Sequence, residues 1–148
     1  MKTIFDKTTE DELISRISSL GENSKAQWGK MNVHQMVNHC IVADEMFQGK
    51  KIYNRTFLGR LIGKMALNGM LKDDAPMMRN APTHPKFKIA ETEGDLAAEK
   101  KKWVSLVKEY KHFSNPEFVH WFFGKMTKEQ MGQFVYKHAD HHLRQFGA

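Results

Sequence analysis

Apolar positions along the chain recur mostly three and four residues apart, the period of an amphipathic helix. Leu13, Ile14, Ile17 and Leu20 form the first such stripe. Thr9 with Glu12 three residues later reads as its capping box, and Gly21 as its stop. After a polar turn and Trp28, Asn32 is placed to cap a second helix running to about Gln48, with Val33, Met36, Val37, Cys40 and Phe47 on one side. A third helix is predicted from about Thr56 to Lys72. Pro76, Pro82 and Pro85 make Asp73 to Ile89 a long loop, and loops of that length often carry function. A fourth helix begins near Asp95 and runs to about His112, with Leu96, Trp103, Leu106, Val107 and Tyr110 inward. Asn115-Pro116 starts a second loop, and Thr127 with Gln130 caps a last helix reaching about Phe146.

No alternation of period two stands out, so no strand is predicted. These elements predict an all-α fold: an up-and-down four-helix bundle with an additional short N-terminal helix or long loops. A length of 148 residues fits one domain over 1–148.

Composition narrows the function classes. Apolar residues make up 41% and charged residues 27%, a globular rather than a disordered balance. The single Cys excludes an intrachain disulfide framework and any Cys-rich zinc module. The N-terminus carries Lys2, Asp6, Lys7, Glu10, Asp11 and Glu12 and lacks the apolar core of a secretory signal. Phe57 to Leu71, the most apolar stretch, is broken by Arg60 and Lys64 and is too short to span a bilayer. A cytoplasmic protein with no membrane partner is the expectation.

The charge is uneven. Lys50, Lys51, Arg55, Arg60, Lys64 and Lys72 lie together with no acid among them, while the remaining 17 basic residues balance the 17 acidic ones. A solvated helix face explains such a run most simply. Nucleic acid is the weaker reading, because no recognition motif accompanies it.

The eight histidines are the unusual feature. His138, His141 and His142 fall within the last helix. At about 100° per residue, His138 points into the apolar face made by Met131, Phe134 and Val135, and His142 stays inside it. His141 lies at the edge, and Asp140 roughly opposite His138, where solvent or an ion pair would hold it. The i, i+4 spacing of His138 and His142 stacks two imidazoles that can reach one metal ion. A third ligand would come from a facing helix, and the second helix offers His34 and His39. His39 flanks the apolar stripe, whereas His34 points about 140° away and toward solvent. A metal-free interfacial histidine remains the competing reading of His39.

The segments Trp28-Gly-Lys-Met-Asn-Val-His-Gln-Met-Val-Asn-His39 and Tyr136-Lys-His-Ala-Asp-His-His-Leu-Arg-Gln-Phe146 together resemble the DinB/YfiT-like superfamily, a group of small helical-bundle proteins read as metalloenzymes. The likeness is greatest to a functionally uncharacterised branch and covers nearly the whole chain. It implies His39, His138 and His142 as metal ligands, the set the helical angles reach independently. It further implies a divalent ion (Zn, Ni, Fe or Mn), with a low-molecular-weight thiol as a second candidate cofactor. The reaction it suggests is thiol-dependent transfer or hydrolysis on a small-molecule substrate. The basic run would then attract an acidic thiol or carboxylate.

Other residues add less. Asp44 is a weak catalytic candidate, a carboxylate within an apolar stripe, against a simpler reading as a partly exposed residue near a helix end. Cys40 reads as a buried core thiol rather than a nucleophile. His84 and His120 lie in predicted loops, where either would line a pocket mouth, and His112 ends the fourth helix favourably for the helix dipole. The aromatics of His120 to Thr127 are expected to pack the bundle end. A non-catalytic, stress-related binding protein is the alternative to an enzyme, and a homodimer through an apolar helix face is left open.

Overall fold

A computed structural model describes residues 1–81, 83–114 and 117–148. Pro82 and the loop start expected at Asn115-Pro116 lie outside the described residues. Among the described residues, five α-helices run in chain order: α1 Lys7–Ser19, α2 Val33–Phe47, α3 Phe57–Met70, α4 Leu96–Glu109 and α5 Lys128–Gln145. Two-residue strands β1 (Val119–His120) and β2 (Gly124–Lys125) pair antiparallel between α4 and α5. Single 3-10 turns occupy Pro85–Phe87 and Tyr110–His112, the latter tightening the end of the fourth helix.

Most helix starts follow their local chemistry. The Asn32 side chain accepts from the Gln35 N–H while the Gln35 side chain returns to the Asn32 N–H, a full capping box. Thr127 and Gln130 repeat it at α5. Thr56 caps α3 and Asp95 caps α4 by single bonds. The first helix departs from expectation. It begins at Lys7 after Asp6, so Thr9 and Glu10 are buried within its first turns and the Thr9–Glu12 pair caps nothing. The cause is tertiary. Ile4 is buried and its N–H donates to the Gly132 carbonyl of α5, fixing the chain just ahead of α1.

The four-helix bundle is made of α1, α2, α4 and α5: α2 packs on α4 and α5, and α1 packs on the same two. Leu13, Ile17, Met36, Val37, Trp103, Val107, Met131 and Leu143 fill its interior. The additional helix is therefore α3, not the short N-terminal one. It lies against the β-hairpin. Its inward face is built from Gly59, Gly63 and Leu67. A Cβ at Gly59 or Gly63 would stand 2.6 or 2.0 Å from the Phe122 carbonyl oxygen, so glycine lets the two backbones touch. Two residues per strand carry no alternation, so the hairpin leaves no period-two signal in the sequence. Its turn is held by His120, whose Nδ1 accepts from the N–H groups of Phe122 and Phe123. Phe118 and Phe123 are buried there, closing the bundle end as expected.

His34 does not face solvent. It is buried, its Nδ1 lying 2.9 Å from Glu99 and its Nε2 2.9 Å from Glu22. The helical angle placed it correctly on α2; α4 and the α1–α2 connection supply the two carboxylates. Burial alone would lower its pKa, but the hydrogen bonds and charges of Glu99 and Glu22 outweigh it and the net shift is upward.

Two predictions follow from this packing. Gly63→Ala is expected to lower stability by about 2 kcal/mol or more, while Gly69→Ala, where a Cβ meets nothing within 4 Å, gains about 0.5–1 kcal/mol; urea unfolding of both variants checks the contrast. His34 has a folded pKa above its unfolded value, so its stabilisation is complete below the ordinary histidine range and fades as pH rises through the raised value. His34→Ala should thus cost about 1–2 kcal/mol at pH 6, and distinctly less in alkaline buffer.

Candidate metal centre

The packing of α2 on α5 sets His39 beside the His138–His142 pair. Each residue offers one ring nitrogen, and the three nitrogens lie within 4.8 Å of one another. The ring centroids are 5.3 Å apart for His39–His138, 4.7 Å for His39–His142 and 4.8 Å for His138–His142. His39 and His142 are buried, whereas His138 keeps partial exposure. Phe47 and Phe134 flank His138, and Phe87 flanks His39, so the walls are aromatic.

Hydrogen bonds fix which nitrogen is free. His39 Nδ1 lies 2.9 Å from the Phe87 carbonyl and must donate to it, leaving the Nε2 lone pair available. His142 Nδ1 lies 3.0 Å from Gln145 Oε1, with the same consequence. The Gln145 amide is itself oriented, because its Nε2 donates to the Trp28 carbonyl at 2.8 Å. Gly29 permits that approach: it has φ +81°, and a Cβ there would lie 2.7 Å from Gln145 Nε2. Outer partners of this kind hold metal-binding imidazoles in one tautomer and raise their basicity. Sequence reasoning missed both Gln145 and Phe87. Gln145 left a signal, a polar residue three positions beyond His142; the Phe87 carbonyl left none.

The electrostatics suit a cation. Burial lowers the pKa of His142 to about 3, aided by the charge that His39 would carry if protonated. Burial lowers His39 as well, partly offset by its bond to Phe87. His138 is pushed well below the ordinary range, first by burial and then by His142 and His39. All three imidazoles are therefore neutral at pH 7, the state in which histidine ligates metal. Two imidazoles fixed in tautomer beside a third neutral one fit a divalent ion, and a three-histidine set leaves open positions on it for water or substrate.

The remaining candidates fall outside this triad. Asp44 is neither exposed nor near-surface: it is 4% exposed and accepts from Trp103 Nε1 at 2.9 Å and Tyr110 Oη at 2.7 Å. Burial raises its pKa to about 7 against the pull of those two bonds. It ties α2 to the α4 end, with both oxygens engaged. Cys40 is buried against Met36, and burial pushes its thiol pKa well up, as a core thiol requires. Asp140 is buried rather than solvated, held by ion pairs to Arg16 at 2.8 Å and Arg144 at 2.7 Å. His141 sits half-buried at the edge of the face, packed on Trp28. His120 is not in a loop at a pocket mouth but buried on β1. His84 lies before the Pro85–Phe87 turn, capping it through Lys86 N–H, and His112 is exposed. The basic run is largely engaged within the chain: Lys50 pairs with Glu109, Lys51 with Glu45 and Lys72 with Asp73, while Lys64 and Arg55 donate to backbone carbonyls.

Calorimetric titration with Zn²⁺, Ni²⁺ or Mn²⁺ should give one site per chain. Alanine at His39, His138 or His142 abolishes it, and Gln145→Ala weakens it by about 10- to 100-fold.

Comparison with known proteins adds one match. No curated protein and no solved structure matches the chain. Among the described residues, no helix is long and apolar enough to cross a membrane. The sequence model of one family matches residues 3–148, which takes in every helix and all three converging histidines. The chain belongs to the family described as protein of unknown function (DUF1569).

Proposed function

We propose that His39, His138 and His142 hold a divalent metal ion and that the chain is a metal-dependent enzyme acting on a small molecule. The observation that carries this reading is the geometry of the triad: three neutral imidazole nitrogens within 4.8 Å, two of them fixed in tautomer by Phe87 and Gln145. Acceptors at the outer nitrogens are also what metal-ligating imidazoles use to keep their other lone pair directed. We further propose one domain over 1–148, related to the DinB/YfiT-like bundles that its two histidine-bearing segments resemble.

A bound divalent ion acidifies a ligated water or thiol, or polarises a carbonyl. The chain supplies the rest. His39 and His142 keep their lone pairs directed by donating at Nδ1. Phe47, Phe87 and Phe134 exclude water from the flanks, which strengthens electrostatic interactions inside. On this reading a small molecule would enter at His138, the one of the three that keeps partial exposure. Thiol-dependent transfer and hydrolysis both suit this arrangement, and Zn, Ni, Fe and Mn are the ions to test. Asp44 remains a weak catalytic proposal, because its carboxylate already serves Trp103 and Tyr110. The burial of His39 and His142 favours one second reading, a non-catalytic metal-binding protein.

Elemental analysis of tag-free protein, followed by assays for thiol conjugation and for ester and amide hydrolysis, separates these readings. The expected outcome is stoichiometric metal, turnover that disappears on chelation and returns with the ion, and loss of both in His138→Ala. Metal without turnover supports the binding protein. Protein that neither carries nor takes up any of the four ions refutes the site.

A further inference from the structure

α3 is folded the wrong way round for a helix that ends at solvent. Helices on soluble domains bury their apolar stripe and expose the opposite side. Here the buried side is Gly59, Gly63 and Leu67, set against the hairpin backbone. The large side chains point away: Phe57 is 78% exposed, Leu58 55%, Leu61 66%, Ile62 37% and Met65 70%, with Ile52 at 90% just ahead of the helix. These are six of the nine exposed large apolar side chains among the described residues, gathered in fourteen positions. Together they offer on the order of 800 Å² of apolar surface, well beyond the roughly 300–600 Å² of the largest patch on a typical monomer.

We infer that this face is the interface with a second copy of the chain. Three observations favour that occupant. The first is area: about 800 Å² per partner is what a standard stable interface buries, and homodimer interfaces are the more apolar class. The second is charge. A lipid surface would be held by free cations around the apolar face. Yet Lys50, Lys51 and Lys72 are paired with carboxylates and Arg55 and Lys64 are tied to backbone carbonyls, which leaves Arg60 as the one cation of this run with neither an ion pair nor a hydrogen bond among the described residues. The third is shape. Phe57, Leu61 and Met65 recur every fourth residue and form one straight ridge, which can interdigitate with its own copy across a two-fold axis. The pairing would supply α3 with the packing that its position outside the bundle denies it.

Sedimentation equilibrium of the full chain, over about two decades of concentration, tests this. The expected result is a reversible species of twice the 17.2 kDa chain mass. Leu61→Glu and Phe57→Ser should each weaken the association by about 100-fold or more. Both side chains are mostly exposed, so helicity by circular dichroism should not change. Met78→Glu, at an equally exposed apolar residue outside the patch, should leave association unaltered. A wild-type chain that stays monomeric throughout overturns the inference, as does a dimer indifferent to both α3 substitutions. Monomeric chain that co-sediments with phosphatidylserine vesicles, and loses that binding in Leu61→Glu, assigns the face to a membrane surface instead.

Discussion

Burying an imidazole costs free energy unless both of its nitrogens are served, and this chain buries several at once. The molecule answers that constraint in two ways. His34 is satisfied from within the protein by two carboxylates, one at each nitrogen, and His120 is served at Nδ1 by two backbone N–H groups. His39 and His142 are hydrogen-bonded at Nδ1 only, and each brings a ring nitrogen within 4.8 Å of the others and of His138. The packing of α2 on α5, the position of the long loop and the capture of Gln145 by Trp28 all serve that half-finished arrangement. A divalent cation would complete it.

Much of this was visible along the sequence wherever the determinant is local. Caps depend on a side chain and the backbone a few residues away: those expected at Asn32 and Thr127 formed, and Thr56 and Asp95, expected as helix starts, cap theirs as well. The orientation of His138 and His142 follows from helical geometry alone, so the triad could be assembled from angles and helix adjacency. What stayed hidden was set by distant chain. Glu22 and Glu99 turned His34 from a surface residue into a buried ion-paired one. Ile4, bound to α5, moved the start of α1 ahead of Thr9. The glycine face of α3 is intelligible only once the Phe122 carbonyl is known to press against it.

Two of the buried acids, Asp44 and Asp140, illustrate the same dependence. An apolar stripe with a carboxylate in it looks like a functional anomaly. In the folded chain each carboxylate joins elements: Asp44 links α2 to the α4 end through Trp103 and Tyr110, and Asp140 links α5 to α1 through Arg16. Such groups cost desolvation and return specificity of docking, since only one arrangement of the helices satisfies them.

The Phe87 carbonyl gives the long loop between α3 and α4 a different character. It reaches His39 from a 3-10 turn that lies outside the bundle helices, so the loop and the imidazole hold each other in place. Free-energy linkage makes this reciprocal: whatever steadies His39 steadies the loop, and whatever frees the loop loosens His39. Any ion held by the histidine cluster would thereby be tied to the conformational entropy of a segment that looks, by sequence, like a mere connection.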